Sequence, residues 1–140
     1  MGITQVNNGG KMSLGLYNTL QELILEVATR SQVEQAVEKK QRVRIYYDGD
    51  ETVIAGYRNI EPYVLGLSKA GNPIVRSWQL NGVTDTETPG WKTFRLDRIS
   101  SWNKIPSYFY APISDRDRSA PVYNSTGDRS MTTIYKQAKF

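Results

Sequence analysis

Arginines interleaved with aromatic rings on extended segments are the residues here best suited to chemistry, and that chemistry is anion binding. In Arg42-Val43-Arg44-Ile45-Tyr46-Tyr47 the two-residue period sends Arg42, Arg44 and Tyr46 to one face and Val43 and Ile45 to the other. Arg76 shares a face with Trp78, Arg95 lies between Phe94 and Leu96, and Arg58 opens Arg58-Asn59-Ile60-Glu61-Pro62. Guanidinium groups clamp phosphates and planar rings stack on bases, so this mixture suits nucleic acid or another negatively charged ligand. The binding set is Arg44, Arg58, Arg76, Trp78, Arg95 and Arg98, with Arg44, Arg76 and Arg95 foremost. Each has a competing reading as structure. Arg58 and Glu61 could pair at a bend, Arg98 could pair with Asp97 or cap a turn, and Trp78 and Trp91 could be packing.

Cysteine and histidine are both absent from the 140 residues. No thiolate nucleophile, disulfide or Cys/His zinc site is possible, and the side chain most used for proton transfer near neutral pH is missing. No phosphate-cradling loop or nucleophile-elbow motif organises the remaining groups. The expectation is a protein that is not an enzyme, with no catalytic residue, metal or cofactor. A carboxylate-based hydrolase using Asp48, Asp50 and Glu51 is the weak alternative, since a hairpin turn needs those residues anyway.

The formal charge is +4, unevenly spread. Residues 1–90 hold 9 basic and 10 acidic groups, while residues 91–140 hold 9 and 4, so the surplus lies late in the chain. Such a field attracts phosphates, although a solvated basic surface explains it equally well. No apolar run is long enough to span a bilayer and the start is unlike a signal peptide, which predicts no membrane partner and a cytoplasmic site in a bacterium or phage-infected cell, or a virion.

The elements that would carry these residues follow from periodicity. Leu16, Leu20, Leu23, Ile24 and Val27 form one stripe of an amphipathic helix over 14–30, with Glu26 and Arg30 spaced as an i,i+4 pair. Ser31-Gln32-Val33-Glu34 fits a capping box that starts a second, shorter helix with Val33, Ala36 and Val37 on its apolar face. From Arg42 the period becomes two. Strands are expected near 42–47, 53–68, 74–80, 91–96 and 99–104, with turns at 48–50 and 69–73, a polar loop over 81–90, and Pro62 at a bend or edge. Five short strands in about 65 residues suggest a small closed barrel. Beyond Pro106 regular structure breaks, yet Tyr108, Phe109, Tyr110, Tyr123, Tyr135 and Phe140 predict an extended arm that docks, on its own domain or a neighbour. Met131, Ile134, Tyr135 and Ala138 have the spacing of a short terminal helix capped by Asp128 or Ser130. The division is 1–30 as a helical N-terminal segment, 31–105 as the barrel domain and 106–140 as the arm.

A helix, a strand ending in Tyr47, the Arg58-x-x-Glu61-Pro62 unit, a Gly turn and a closing Phe94-Arg95-Leu96-Asp97-Arg98-Ile99 together resemble a WYL domain over Val33 to Asn103. The order and spacing of these pieces carry the likeness. The tripeptide that names the family is absent near Asn72-Pro73-Ile74, where Pro73-Ile74-Val75-Arg76-Ser77-Trp78-Gln79-Leu80 stands instead. This resemblance implies a mainly β fold with flanking helices: a five-stranded Sm-like barrel whose basic and aromatic residues bind nucleic acid or an anionic ligand. In regulators of that family a helix-turn-helix domain in front reads DNA. Only about 30 residues precede the capped helix here, too few for such a reader.

Two functions remain open. One is a regulatory or accessory module that binds nucleic acid or an anion and acts through a partner. The other is a phage structural or assembly protein, with the barrel as scaffold and the N-terminal helix and C-terminal arm holding a protein partner or further copies of the chain.

Overall fold

The computed structural model describes residues 29–49, 51, 53–83 and 89–140. Residues 14–28 of the helix expected over 14–30, including Glu26 of its Glu26–Arg30 pair, lie outside them. Helix α1 covers residues 29–39 and runs through Ser31 without a break, so Ser31 sits inside a helix and does not start one. Val33, Ala36 and Val37, at i, i+3 and i+4, are all buried, and Arg30 meets Glu34 at 3.6 Å on the solvent side. Lys40 ends the helix with a positive φ of 56°, and its carbonyl accepts the Phe109 amide at 2.9 Å.

Six antiparallel strands form one sheet: β1 Gln41–Tyr47, β2 Gly56–Ser68, β3 Pro73–Gly82, β4 Gly90–Arg95, β5 Ile99–Tyr108 and β6 Met131–Gln137. Alternation in β1 buries Val43, Ile45 and Tyr47 and turns Arg42, Arg44 and Tyr46 outward. The order is β4-β3-β2-β1-β5, with β6 also on β2. The sheet is therefore open, which corrects the expected closed barrel. Closure requires the two terminal strands to share a ladder. Here β4 and β5 are joined through a 3₁₀ turn, Leu96–Arg98, but lie at opposite ends of the order, and Leu96 of that turn is buried in the core.

β2 is the organising strand. Its first half pairs with β1 up to Ile60 and its second half with β6 from Val64, while β3 pairs along both halves. Pro62 falls in the gap between β1 and β6, at a register break with β3, where its missing N–H costs no ladder bond on that edge. Gly66 is required under β6, because a Cβ there would collide with the Thr133 carbonyl and the Met131 sulfur. The β2–β3 hairpin closes over Gly71, whose φ of 85° selects glycine, with Ser68 N–H donating to the Asn72 carbonyl at 2.9 Å.

Residues 131–137 are a strand, correcting the expected terminal helix. Met131-Thr132-Thr133-Ile134-Tyr135 is rich in β-branched side chains, and the second half of β2 offers an edge whose backbone groups need partners. β5 also runs four residues beyond its expected end. Between β5 and β6 the chain makes one helical turn, α2 Ile113–Arg116, and returns across the sheet. Phe109, Trp91 and Tyr123 stand 4.8 to 5.0 Å, ring centre to ring centre, from the fully buried Tyr63, with Phe140 at 6.0 Å. The described part of the C-terminal segment thus covers one portion of the sheet and leaves the portion around Arg44 open. Among the described residues no helix is long and apolar enough to cross a membrane.

Candidate nucleic-acid interface

The open portion is built by register. Arg44 on β1 stands opposite Asn59 on β2 and Asn103 on β5, and Tyr46 opposite Tyr57 and Ser101. The Arg44 guanidinium lies 4.4 Å from the centre of the Tyr57 ring, and Tyr46 meets that ring edge-on at 4.9 Å. Tyr57 is 49% exposed, so this stack is presented to solvent. Beside it the Asn59 side-chain amide donates to the Asn81 Oδ1 at 2.8 Å. Planar rings, an oriented guanidinium and amides with donors and acceptors to spare are a surface that a base and a phosphate can share.

Electrostatics favour an anion there. The six strands contain one carboxylate, Glu61, and it is fully buried and neutralised. Arg42, Arg76, Arg95 and Lys136 each meet a carboxylate. Arg44 and the exposed Lys104 have no carboxylate partner among the described residues, and the pairing of Arg44 with Asn103 puts β5 beside β1 at that point.

The covered portion centres on Glu61. Its Oε2 accepts from Arg42 Nε at 2.9 Å, and its Oε1 accepts from Arg116 Nη2 at 2.5 Å and from the Tyr63 hydroxyl at 3.0 Å. Arg42 continues to the Ser107 hydroxyl and the Tyr108 carbonyl, and Tyr63 accepts the Ile113 amide at 2.9 Å. Burial, reinforced by the negative Glu61, pushes the Tyr63 phenol far above its ordinary value, so it remains a proton donor. This network ties β1, β2, β5 and α2 together and leaves the Glu61 carboxylate enclosed by its partners.

Arg76 is held by the returning segment. Its Nε donates to Asp128 Oδ2 at 2.9 Å and its Nη2 to the Ser130 hydroxyl at 3.0 Å. Burial pushes the Asp128 carboxyl up, but the hydrogen bonds from Arg76 and Ser130 outweigh it and hold the carboxyl below its ordinary range. A carboxyl whose folded value is depressed stabilises the fold above the unfolded value, and that contribution is lost as pH falls through the folded one. The stability difference between the parent and Asp128→Asn is expected to be constant from about pH 7 to about pH 5, and to shrink once pH drops below the unfolded value of roughly 3.9. Urea midpoints of both proteins across that range check it; an equal difference at about pH 3 and about pH 7 would remove the ion pair from the account.

The six expected binding residues do not converge on one site. Arg44 is in the open. Arg58 is 2% exposed on the inner side, donating to the Val83 carbonyl at 2.6 Å and to that of Ile54, with its guanidinium 5.4 and 5.5 Å from the Tyr47 and Phe94 rings. It does not pair with Glu61, which turns to the other side of β2. Trp78 is 4% exposed and edge-on to Trp91 at 5.4 Å, so it packs. Arg95 is engaged by Asp97 through two bonds, of 3.0 and 2.7 Å, which leaves Arg98 to donate to the Gly49 carbonyl at 3.1 Å. The reading from sequence missed Tyr57, Asn59, Asn103 and Lys104. Tyr57 alternates with Arg58 and carried a usable signal; which residue faces Arg44 depends on strand register, which sequence does not print.

Comparison with known proteins gives a matching family model and solved structures of similar fold. The family model for the WYL domain matches residues 28–103, just over half of the chain. Proteasome accessory factor B/C (PafBC) of Arthrobacter aurescens has a similar structure, with a TM-score of 0.49 and 22% identity over 60% of this chain. The match spans 12% of that protein, one small part of a far longer chain. No curated protein matches the sequence.

Proposed function

The chain belongs to the WYL domain family, and on that premise we propose a non-enzymatic module that binds single-stranded nucleic acid and acts as a regulatory or accessory factor through a partner. The observation that carries this reading is the exposed Arg44–Tyr57 stack, set in a sheet whose strands have one carboxylate, already buried. Asn59, Asn81 and Asn103 add hydrogen-bonding capacity suited to base edges without dictating a sequence. Of the arm's aromatic residues that the assembly alternative would use for subunit contacts, Phe109 and Tyr123 pack on the chain's own sheet while Tyr108, Tyr110 and Phe140 stay exposed, so the binding reading is preferred on the strength of the Arg44 face.

Fluorescence anisotropy of a labelled single-stranded oligonucleotide, titrated at about 50 mM and about 200 mM salt, tests it. The parent is expected to bind, and more weakly at the higher salt. Arg44→Ala combined with Tyr57→Ala should weaken binding about tenfold or more, since one stacked base is worth about 1–3 kcal/mol. Both side chains are at the surface, so the fold survives the change. No binding at about 50 mM salt, or equal affinity of parent and double variant, would sink the proposal.

A further inference from the structure

Away from the Arg44 face, a cleft of about 410 Å³ opens between the sheet and the returning segment from Pro121 to Arg129. Pockets of roughly 300–1,000 Å³ accommodate small organic ligands. Its apolar wall is formed by Val64, Trp91, Val122 and Tyr123. The Trp91 and Tyr123 rings are stacked, inclined by 21° with centres 6.1 Å apart, so two aromatic rings line this side of the cleft. Both rings are fixed before any ligand arrives: Trp91 Nε1 donates to the Pro121 carbonyl at 3.3 Å and the Tyr123 hydroxyl to that of Ala138 at 3.0 Å. A preset wall binds a ring without the entropic cost of ordering side chains.

The polar end is cationic. Asp128 lines the cleft, but Arg76 cancels its charge. Nη1 of Arg76 has no partner among the described residues, and neither has the exposed side chain of Arg129. One net positive charge and free guanidinium donors therefore stand beside an aromatic, hydrophobic wall.

We propose that this cleft is a second binding site, for a small planar ring bearing a carboxylate or phosphate. The ring lies against Trp91 and Tyr123, and the anion is met by Arg129 and the free Nη1 of Arg76. The residues from Pro121 to Arg129 lie beyond the 28–103 stretch that the family model matches, whereas Val64, Arg76 and Trp91 lie within it.

Isothermal titration of the full chain with adenosine 5′-monophosphate, adenosine and 2-naphthoate tests it. At least one of the two anionic probes should bind, the monophosphate pointing to a nucleotide and the naphthoate to an aromatic acid. Adenosine should be about tenfold weaker than its monophosphate, the effect of losing a hydrogen bond to a charged group. Arg129→Ala, a surface change that leaves folding intact, should weaken the anionic probe by about the same factor. Trp91→Phe should also weaken it by shrinking the wall. The proposal is overturned if neither anionic probe binds, if adenosine binds as tightly as its monophosphate, or if Arg129→Ala binds like the parent.

Discussion

Glu61→Gln is expected to destabilise the fold by about 3 kcal/mol or more, because removing one member of a buried charged network strands the others. Glu61 has no exposed surface, and its two oxygens hold Arg42, Arg116 and Tyr63. The neutral amide keeps the volume but turns one acceptor into a donor that faces guanidinium and phenol donors. The side chains of Arg42 and Arg116 are 23% and 31% exposed, so water recovers part of the loss and keeps the effect at the lower end of the roughly 3–5 kcal/mol expected for a broken buried pair. Tyr63→Phe, which deletes only a hydroxyl, should cost less, about 1–2 kcal/mol. Urea denaturation reads both values, and a Glu61→Gln loss under about 1 kcal/mol would mean the network contributes little.

Arg58→Ala is expected to cost about 3–5 kcal/mol of stability, the range for truncating a large core side chain. Its guanidinium fork joins the Ile54 and Val83 carbonyls, which flank β2 and follow β3, and it fills the space beside Tyr47 and Phe94. Arg58→Lys should recover only part of this, because a single ammonium does not match two carbonyls and two ring faces as a planar fork does. Oligonucleotide affinity of either variant, measured well below its melting temperature, should stay near the parent value. A variant as stable as the parent that no longer binds would return Arg58 to the ligand surface, and thermal melts run alongside anisotropy separate the two outcomes.

Much of the architecture is legible in local pattern. The two-residue period of Arg42 to Tyr47 puts Arg44 outward and Ile45 inward, as observed, because a strand's alternation is built into its covalent geometry. Gly71 and Pro62 mark a turn and a register break for equally local reasons: one residue tolerates positive φ and the other lacks a donor. The apolar spacing of Val33, Ala36 and Val37 likewise predicts their burial. The terminal segment shows where such reasoning stops. Met131, Ile134, Tyr135 and Ala138 have helical spacing, but the segment became β6 because the far half of β2, from Val64 onward, had an edge to pair.

Charge pairing is the part that local pattern could not reach. All six candidate binding residues look alike as basic or aromatic side chains in strands and turns. Arg76 finds Asp128 52 residues away, and Arg116 finds Glu61 55 residues away, out of a stretch that reads as plain polar loop. Residue type and strand period therefore decide that this chain carries arginines and rings on a sheet. Only the tertiary fold decides that Arg58 is enclosed, that Arg76 is answered and that Arg44 stands free of any carboxylate among the described residues, because Coulomb energy depends on distance and burial in space and not on separation along the chain.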